Sequence, residues 1–243
     1  MKKLLTFILF ICPFLVCAQT EIVKSFKLNN ESEVSLKFDY PHLVKINTWD
    51  KNEVAFKATV LIDDGEQDDK FSISTDSQRG TFYLKSKLEP IERNGNYHIV
   101  GFGEDKDADE VIMRRNGKKI VVNGDEKSIN NGVEVSIVVE ITVPEDLELT
   151  VYSKFGMVEV HSIPEELMVD AEFGGVDLTV NSSDLKELNA STAWGQIYTN
   201  LDDKMELNGG DGLGKDMIAR LTARGKKTVF LGTNFGNVYI RKQ

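Results

Sequence analysis

Cysteine is almost absent from this chain of 243 residues. Its two cysteines, Cys12 and Cys17, both lie in an N-terminal stretch with the pattern of a secretory signal. A chain that is cleaved after Ala18 therefore contains no thiol. This absence excludes disulfide bonds, thiol catalysis and thiolate metal sites from the mature protein.

The N-terminal stretch has the three parts of a signal peptide, which we assign to residues 1–18. Lys2 and Lys3 carry positive charge, an apolar run follows to Val16, and small residues precede Gln19. The run is too short for a spanning helix. In the alternative, Cys17 is lipidated, but Val16 fits that site poorly, so plain cleavage is favoured. The sequence predicts export to the periplasm or the outer cell surface.

Basic residues are also in short supply. Without the signal, 27 basic residues stand against 39 acidic ones, a formal net charge of −12. An acidic exterior repels nucleic acid and anionic membrane surfaces. No other stretch of the chain has the length of a transmembrane segment. We therefore expect no nucleic-acid partner and no membrane span.

Histidine is scarce and catalytic motifs are missing. His42, His98 and His161 lie far apart, and no zinc-protease, nucleophile-elbow or phosphate-loop pattern occurs. The sequence predicts no catalytic, cofactor-binding or metal site and no cofactor.

One acidic run resembles a calcium loop in its spacing. Asp105, Asp107 and Asp109 alternate, but Glu110 stands where such a loop needs glycine and Asn116 where it needs a bidentate acid. A solvated acidic loop is favoured over loose calcium binding.

Helical periodicity is absent, and alternation of apolar and polar residues replaces it. From Val133 to Val143 every odd position is Val or Ile, and Pro144 follows. This pattern indicates a half-buried strand. The best helical candidate, Asp184–Asn189, is too short to matter. Further strands are predicted over Val34–Phe38, Leu43–Thr48, Val54–Ile62, Phe71–Ser74 and Phe82–Leu88.

An aromatic–glycine pair recurs four times in the last third of the chain, always in one alternating frame. Successive glycines are 18, 21 and 41 residues apart. A period near 20 residues in strand-rich sequence is typical of a β-solenoid, in which each coil covers the apolar edge of its neighbour. The pairs are Phe155 and Gly156, Phe173 and Gly174, Trp194 and Gly195, and Phe235 and Gly236.

The repeat predicts an all-β stack in which equal frame positions superpose. The aromatic residues should form one buried column, each touching the next repeat, and each glycine should allow a tight turn or a close approach of backbone. A degenerate coil is expected at Met205–Leu221, where dense glycines indicate a corner or a loop outside the stack.

The mature chain, residues 19–243, is predicted to form a single elongated domain. Residues 19–131 supply longer N-terminal strands, which should cover one end of the stack, and a long loop excursion. That excursion should hold a hairpin of Glu110–Met113 with Lys119–Val122. Residues 132–243 supply the repeat coils.

The chain resembles the putative-adhesin, domain-of-unknown-function β-solenoid proteins of Gram-negative cell envelopes. The resemblance rests on the segment Ile46–Val54 and on Ile141–Pro144, which leads into the Phe-Gly and Trp-Gly coils. It implies a right-handed β-helix-like fold and an exported, non-enzymatic role.

Three residues after each repeat glycine stand Glu159, Asp177, Tyr198 and Tyr239. The tyrosines are candidate ligand contacts, because tyrosine offers a flat apolar face with a polar tip. The sequence thus predicts a binding or structural module that contacts an unidentified envelope protein or glycan through an exposed strand face. The alternatives are a glycan-active lyase or hydrolase that uses in-register carboxylates, and a component that senses envelope stress. The oligomeric state is left open.

Overall fold

The computed structural model of the protein describes residues 19–91, 98–102, 110–115, 118–123, 134–209 and 216–243. The predicted signal with Cys12 and Cys17, and the acidic run from Asp105 to Asp109, lie outside the described residues. In the described ranges no helix has the length and hydropathy that a membrane crossing requires.

The described chain is all-β, as predicted. Three short 3-10 turns occur, at Asp63–Gly65, Asp68–Lys70 and Ser182–Asp184. The first ten strands are β1 Thr20–Lys27, β2 Glu33–Phe38, β3 Leu43–Trp49, β4 Glu53–Ile62, β5 Phe71–Gln78, β6 Thr81–Leu88, β7 His98–Phe102, β8 Glu110–Arg115, β9 Lys118–Asn123 and β10 Val135–Pro144. The second ten are β11 Glu148–Phe155, β12 Met157–Val160, β13 Glu166–Phe173, β14 Val176–Val180, β15 Leu185–Thr192, β16 Ile197–Thr199, β17 Glu206–Asn208, β18 Met217–Thr222, β19 Lys227–Thr233 and β20 Val238–Lys242.

Two large mixed sheets hold most of these strands. Sheet A has the order β1-β4-β10-β3-β12-β14-β20-β16, and sheet B has the order β17-β18-β15-β19-β13-β11-β2-β6-β5. A separate three-stranded sheet, β7-β8-β9, contains the predicted hairpin, with Met113 opposite Ile120. The segment Asp184–Asn189, too short for a predicted helix, is strand from Leu185 onwards, where β15 begins and pairs with two neighbours.

Alternating apolar residues explain the strands and their burial. In β4 every second side chain from Val54 to Ile62 is buried, and in β10 the same holds from Ile137 to Val143. Such alternation buries one face of each strand and leaves the other in water. The buried residues of both sheets belong to one hydrophobic core that extends from Leu28 to Ile240.

The chain alternates between the sheets from β10 to β16, and again from β19 to β20. Successive sheet B strands pair in parallel with equal frame positions opposite each other, as with Val151 and Val169, or Val169 and Leu231. At one end of the stack, β2 and β3 continue the two sheets in parallel beside β11 and β12.

The order of the coils differs from the order of the sequence. We call the sheet B strand and the sheet A strand of one repeat a coil: β11 and β12 are the first coil, β13 and β14 the second, β15 and β16 the third, and β19 and β20 the last. The last coil lies between the second and third coils, because β19 pairs with both β13 and β15. The other side of β15 is taken by the antiparallel strand β18. The chain therefore returns across the start of β15, where Gly225 N–H donates to the Leu185 carbonyl at 2.7 Å.

The stretch Met205–Leu221 is not simply a loop outside the stack. Strands β17 and β18 form a short antiparallel ribbon that extends sheet B beyond β15. Met205 and Leu221 are buried, whereas Leu207 is exposed. Residues 210–215, which include three of the dense glycines, lie outside the described residues.

Candidate functional site

The repeat aromatics form a single stacked column at the corner where the chain passes from sheet B to sheet A. Its order is Tyr40, Phe155, Phe173, Phe235 and Trp194, with ring centroids 5.2 to 6.4 Å apart. This spacing follows the separation of neighbouring strands, about 4.8 Å. Trp194 contacts Phe235, and Phe235 contacts Phe173, because the last coil is inserted.

The expected burial of this column is wrong. Phe173 is 42% exposed, and Trp194 is 57% exposed. The rings are stacked within 18° of parallel, so they cover each other's faces and turn their edges to water. Within the described ranges, the ring of Trp194, which ends the column, contacts one neighbouring ring, that of Phe235.

A second column, of glycines, explains why the repeat needs this residue beside the aromatic ring. A Cβ atom on Gly174 would lie 1.8 Å from the Gly156 carbonyl oxygen, and one on Gly236 would lie 1.9 Å from that of Gly174. A Cβ on Gly195 would meet the Gly236 oxygen at 1.8 Å. Gly156 also has a φ of +82°. The turns thus stack backbone on backbone, with no room for a side chain.

Buried hydroxyl groups hold these stacked turns together. Thr233 Oγ1 donates to the Gly174 carbonyl at 2.6 Å, and Thr192 Oγ1 donates to the Gly236 carbonyl at 2.8 Å. Both threonines are buried. At the equivalent position of the second coil, Ala171 has no hydroxyl to offer.

The candidate contact residues lie in one row across the outer face of sheet A. In register, Glu159 is opposite Asp177, Asp177 is opposite Tyr239, and Tyr239 is opposite Tyr198. The structure therefore brings together all four positions that the sequence singled out. Their order differs from the order in the sequence, because Tyr239 lies between Asp177 and Tyr198.

The two tyrosine rings stack on each other. Their centroids are 5.3 Å apart and their planes differ by 13°. The guanidinium carbon of Arg241 lies 5.4 Å from the centroid of Tyr239. Tyr198 is 50% exposed and belongs to β16, the edge strand of sheet A. The outermost ring of this row is therefore open to a ligand.

The two carboxylates of the row have different surroundings. Arg241 Nε donates to both oxygens of Asp177, at 2.8 and 2.9 Å. Glu159 lies 3.5 Å from His161 Nε2. Within the described ranges, no group of three or more His, Cys, Asp or Glu side chains is arranged to hold a metal ion.

Sequence reasoning missed two parts of these surfaces. Tyr40 joins the aromatic column, although no glycine follows it. Pro41 and His42 separate Tyr40 from β3, whereas only Gly156 separates Phe155 from β12. Tyr40 stands two residues after Phe38, as Phe155 stands two residues after Ser153, and Phe38 is opposite Ser153. Extending the repeat frame back to β2 could therefore have revealed Tyr40. The role of Arg241 had no local signal, because its partner Asp177 lies 64 positions away in the sequence.

Comparison with known proteins gives a fold relationship and no family. No family model and no curated protein matches the chain. A crystal structure of a putative cell adhesion protein from Clostridium sporogenes superposes with a TM-score of 0.51 at 11% identity, covering 93% of this chain and 100% of that one.

Two further crystal structures match with TM-scores too low to carry an argument. A putative lipid binding protein from Parabacteroides distasonis has a TM-score of 0.25 at 11% identity, over 73% of this chain and 70% of that one. A putative adhesin from Bacteroides fragilis has a TM-score of 0.21 at 10% identity, over 93% of this chain and 99% of that one. At these identities, the likeness to the first protein shows a shared all-β fold alone.

Proposed function

We propose that this protein is an exported, non-enzymatic module of the cell envelope that binds a glycan or a partner protein through an exposed strand face. The observation that carries the proposal is the stacked pair Tyr198 and Tyr239, whose outer ring stands open at the edge of sheet A. Contiguous exposed aromatic surface on a folded protein indicates an interaction site. The aromatic column that ends at Trp194 enlarges the exposed surface on the same terminal coil.

The fold in this proposal is a solenoid-like stack of short coils that forms one body. Parallel registers that place equal repeat positions opposite each other support it. The stacked aromatic rings and the glycine contacts support it as well. A stack of this kind is a rigid scaffold, and its outer faces are free to carry contacts.

The role as an adhesin-like module has indirect support. The Clostridium sporogenes protein, which shares the fold, is named for cell adhesion. A fold hosts many functions, so the exposed aromatic residues of this chain carry more weight than that name. The predicted signal at residues 1–18 supports export.

A binding screen on the mature chain tests this function. We expect a glycan or an envelope protein to bind, and the double variant Tyr198→Ala with Tyr239→Ala to weaken that binding. The loss should be about 1 kcal/mol or more for each aromatic platform removed. Glu159→Ala with Asp177→Ala is the matched control from the same row, and it should have a smaller effect.

The same samples test the enzyme alternative. Turnover of a polysaccharide that the carboxylate variant abolishes would overturn the proposal. Binding that is insensitive to the loss of both tyrosines would contradict the assigned contact surface.

A further inference from the structure

Gly232 has no structural reason to be glycine. It lies inside β19, between the buried residues Leu231 and Thr233, so it faces the outer side of sheet B. A Cβ atom there would meet its nearest neighbours at 3.7 and 3.8 Å, which is ordinary contact. The repeat glycine Gly236, by contrast, would collide at 1.9 Å.

A glycine in a strand interior weakens the strand, and it often marks a place where a ligand or another backbone approaches closely. Neither a positive φ nor a neighbouring backbone accounts for Gly232. The remaining explanation is the space that the missing side chain leaves on the outer face.

That space is the floor of a depression of about 600 Å³ in sheet B. Gly232 lies in register between Asp170 on β13 and Ser191 on β15. These two flanking strands are two strand spacings apart, about 9.5 Å. Met168 and Phe230 form an apolar wall of the depression, and Arg220 lines it from the side of β18.

The polar groups around this floor are available to a ligand. Within the described part of the chain, the side chains of Asp170, Ser191 and Arg220 make no hydrogen bond or ion pair with one another or with other residues. Desolvation, and then the charge of Glu172, raise the pKa of Asp170. The depression thus combines a carboxylate, a hydroxyl and a guanidinium group with an apolar wall that a ligand can reach from solvent, since Met168 is 46% exposed.

We propose that the Gly232 depression binds one pyranose unit of a neutral glycan. The ring of a pyranose has an apolar face that suits Phe230 and Met168, and peripheral hydroxyls that suit Asp170, Ser191 and Arg220. Two carboxylates, Asp170 and Glu187, line the depression against the one guanidinium group of Arg220. This excess of negative charge disfavours an acidic sugar, so the proposal is a neutral one. Glu187 already accepts a hydrogen bond from Asn189 Nδ2 at 2.7 Å.

This proposal rests on the proposed role as a binding module but concerns the face opposite Tyr198 and Tyr239. The probes are a panel of neutral methyl pyranosides, measured on the mature chain by saturation-transfer NMR, and an array of neutral glycans. We expect at least one pyranoside to bind. Gly232→Val should weaken its binding at least tenfold, and Gly232→Ala should weaken it less, because each side chain fills the floor in proportion to its size.

A matched control places a valine on the outer face of sheet B, away from the depression. Ser35→Val lies in the row of Phe230, three strands from β19, which is about 14 Å away. It should leave the affinity unchanged. Gly232→Val should keep or raise the unfolding temperature, since the site has room for it, so a loss of binding cannot be ascribed to unfolding.

The outcomes separate this site from the tyrosine surface. Absence of binding to every neutral pyranoside and glycan overturns the proposal, and so does binding that Gly232→Val leaves intact. If glycan binding is lost in the tyrosine variant and kept in Gly232→Val, the proposed function stands and the sheet B site is refuted. If glycan binding is lost in Gly232→Val and kept in the tyrosine variant, the sheet B site is supported, and Tyr198 and Tyr239 are refuted as the contact surface of the module.

Discussion

At the scale of single residues, two glycines in the same region have opposite roles. Gly174 is required by packing, since its turn lies directly on the Gly156 carbonyl, whereas a Cβ atom on Gly232 would make only ordinary contacts, at 3.7 and 3.8 Å. The two positions therefore form a matched pair of tests.

Gly174→Ala should lower the free energy of unfolding by about 1–3 kcal/mol or more, because the new methyl group collides with backbone that cannot move independently. Gly232→Ala should be neutral or stabilising by several tenths of a kcal/mol, since glycine disfavours a strand. Chemical denaturation of both variants decides this. Equal losses at the two positions would contradict the stacked glycine column.

A second residue-scale prediction concerns Tyr152. Its hydroxyl donates to Glu172 Oε2 at 2.5 Å, and this hydrogen bond, followed by desolvation, raises the pKa of Tyr152 to about 12. Tyrosine in an unfolded chain ionises near about 10. The folded protein keeps a proton that the unfolded chain loses, so stability should fall as the pH rises from about 10 through 12.

Ultraviolet titration of phenolate formation tests this assignment. The difference between wild type and Tyr152→Phe should titrate near 12, and the variant should lose less stability across that window. A difference curve centred at the ordinary tyrosine pKa would show that the hydrogen bond is absent in solution.

At the scale of elements, the aromatic column predicts graded effects along its length. Among the residues that the structure describes, Phe235 stacks on two rings, Phe173 and Trp194, whereas Trp194 stacks on one. Each aromatic pair contributes about 0.5–1.5 kcal/mol beyond burial. Phe235→Leu should therefore destabilise the protein more than Trp194→Leu, although tryptophan is the larger residue. The reverse order in thermal denaturation would contradict the inserted position of the last coil.

The hydroxyl groups of the turns give a further element-scale prediction. Thr233→Val keeps the shape of the side chain but leaves the Gly174 carbonyl without its donor, which should cost about 1–3 kcal/mol. Thr228→Val, on the same strand, is the control, because Thr228 faces outwards. A Thr233→Val protein as stable as the control would show that the carbonyl finds another partner.

The sequence predicted the strands well where one face of a strand is buried. Alternation located β4 and β10 nearly to the residue, since each buries every second side chain. It missed β1, because this edge strand is mostly exposed and its pattern carries no burial signal. The repeat frame predicted which residues superpose, but not the order of the coils, since any two coils with the same frame can pair in parallel.

The sequence predicted one part of the candidate surfaces and missed another. Tyr198 and Tyr239 share a frame position, so their contact followed from the repeat. The partnership of Arg241 with Asp177 and the open floor at Gly232 depend on which coils are neighbours. That information lies in long-range packing, which the local pattern does not encode.

At the scale of the whole molecule, both proposed binding surfaces depend on the proposed solenoid-like stack. The core is shared by both sheets and runs from the N-terminal strands to β20. The N-terminal strands β2 and β3 pair directly with the first repeat coil. We therefore expect residues 19–243 to unfold as a single cooperative unit, with the N-terminal strands covering one end of the coils.

The chain contains two tryptophans, and they report on different parts of this stack. Trp49 ends β3, where its indole N–H donates to the Glu53 carbonyl at 2.9 Å, and Trp194 ends the aromatic column on the third coil. The variants Trp194→Phe and Trp49→Phe each leave one fluorophore. In each variant, the unfolding curve from fluorescence is compared with the curve from circular dichroism of the same protein. A loss of stability caused by the substitution shifts both curves equally and does not affect the comparison.

Equilibrium unfolding of these two single-tryptophan proteins in denaturant is the most direct test of the stack. In each variant we predict that tryptophan fluorescence and circular dichroism give the same midpoint and slope, because both ends of the stack unfold together. A fluorescence transition at Trp49 that is separate from the transition of the repeat coils would show two independent units and contradict the single scaffold.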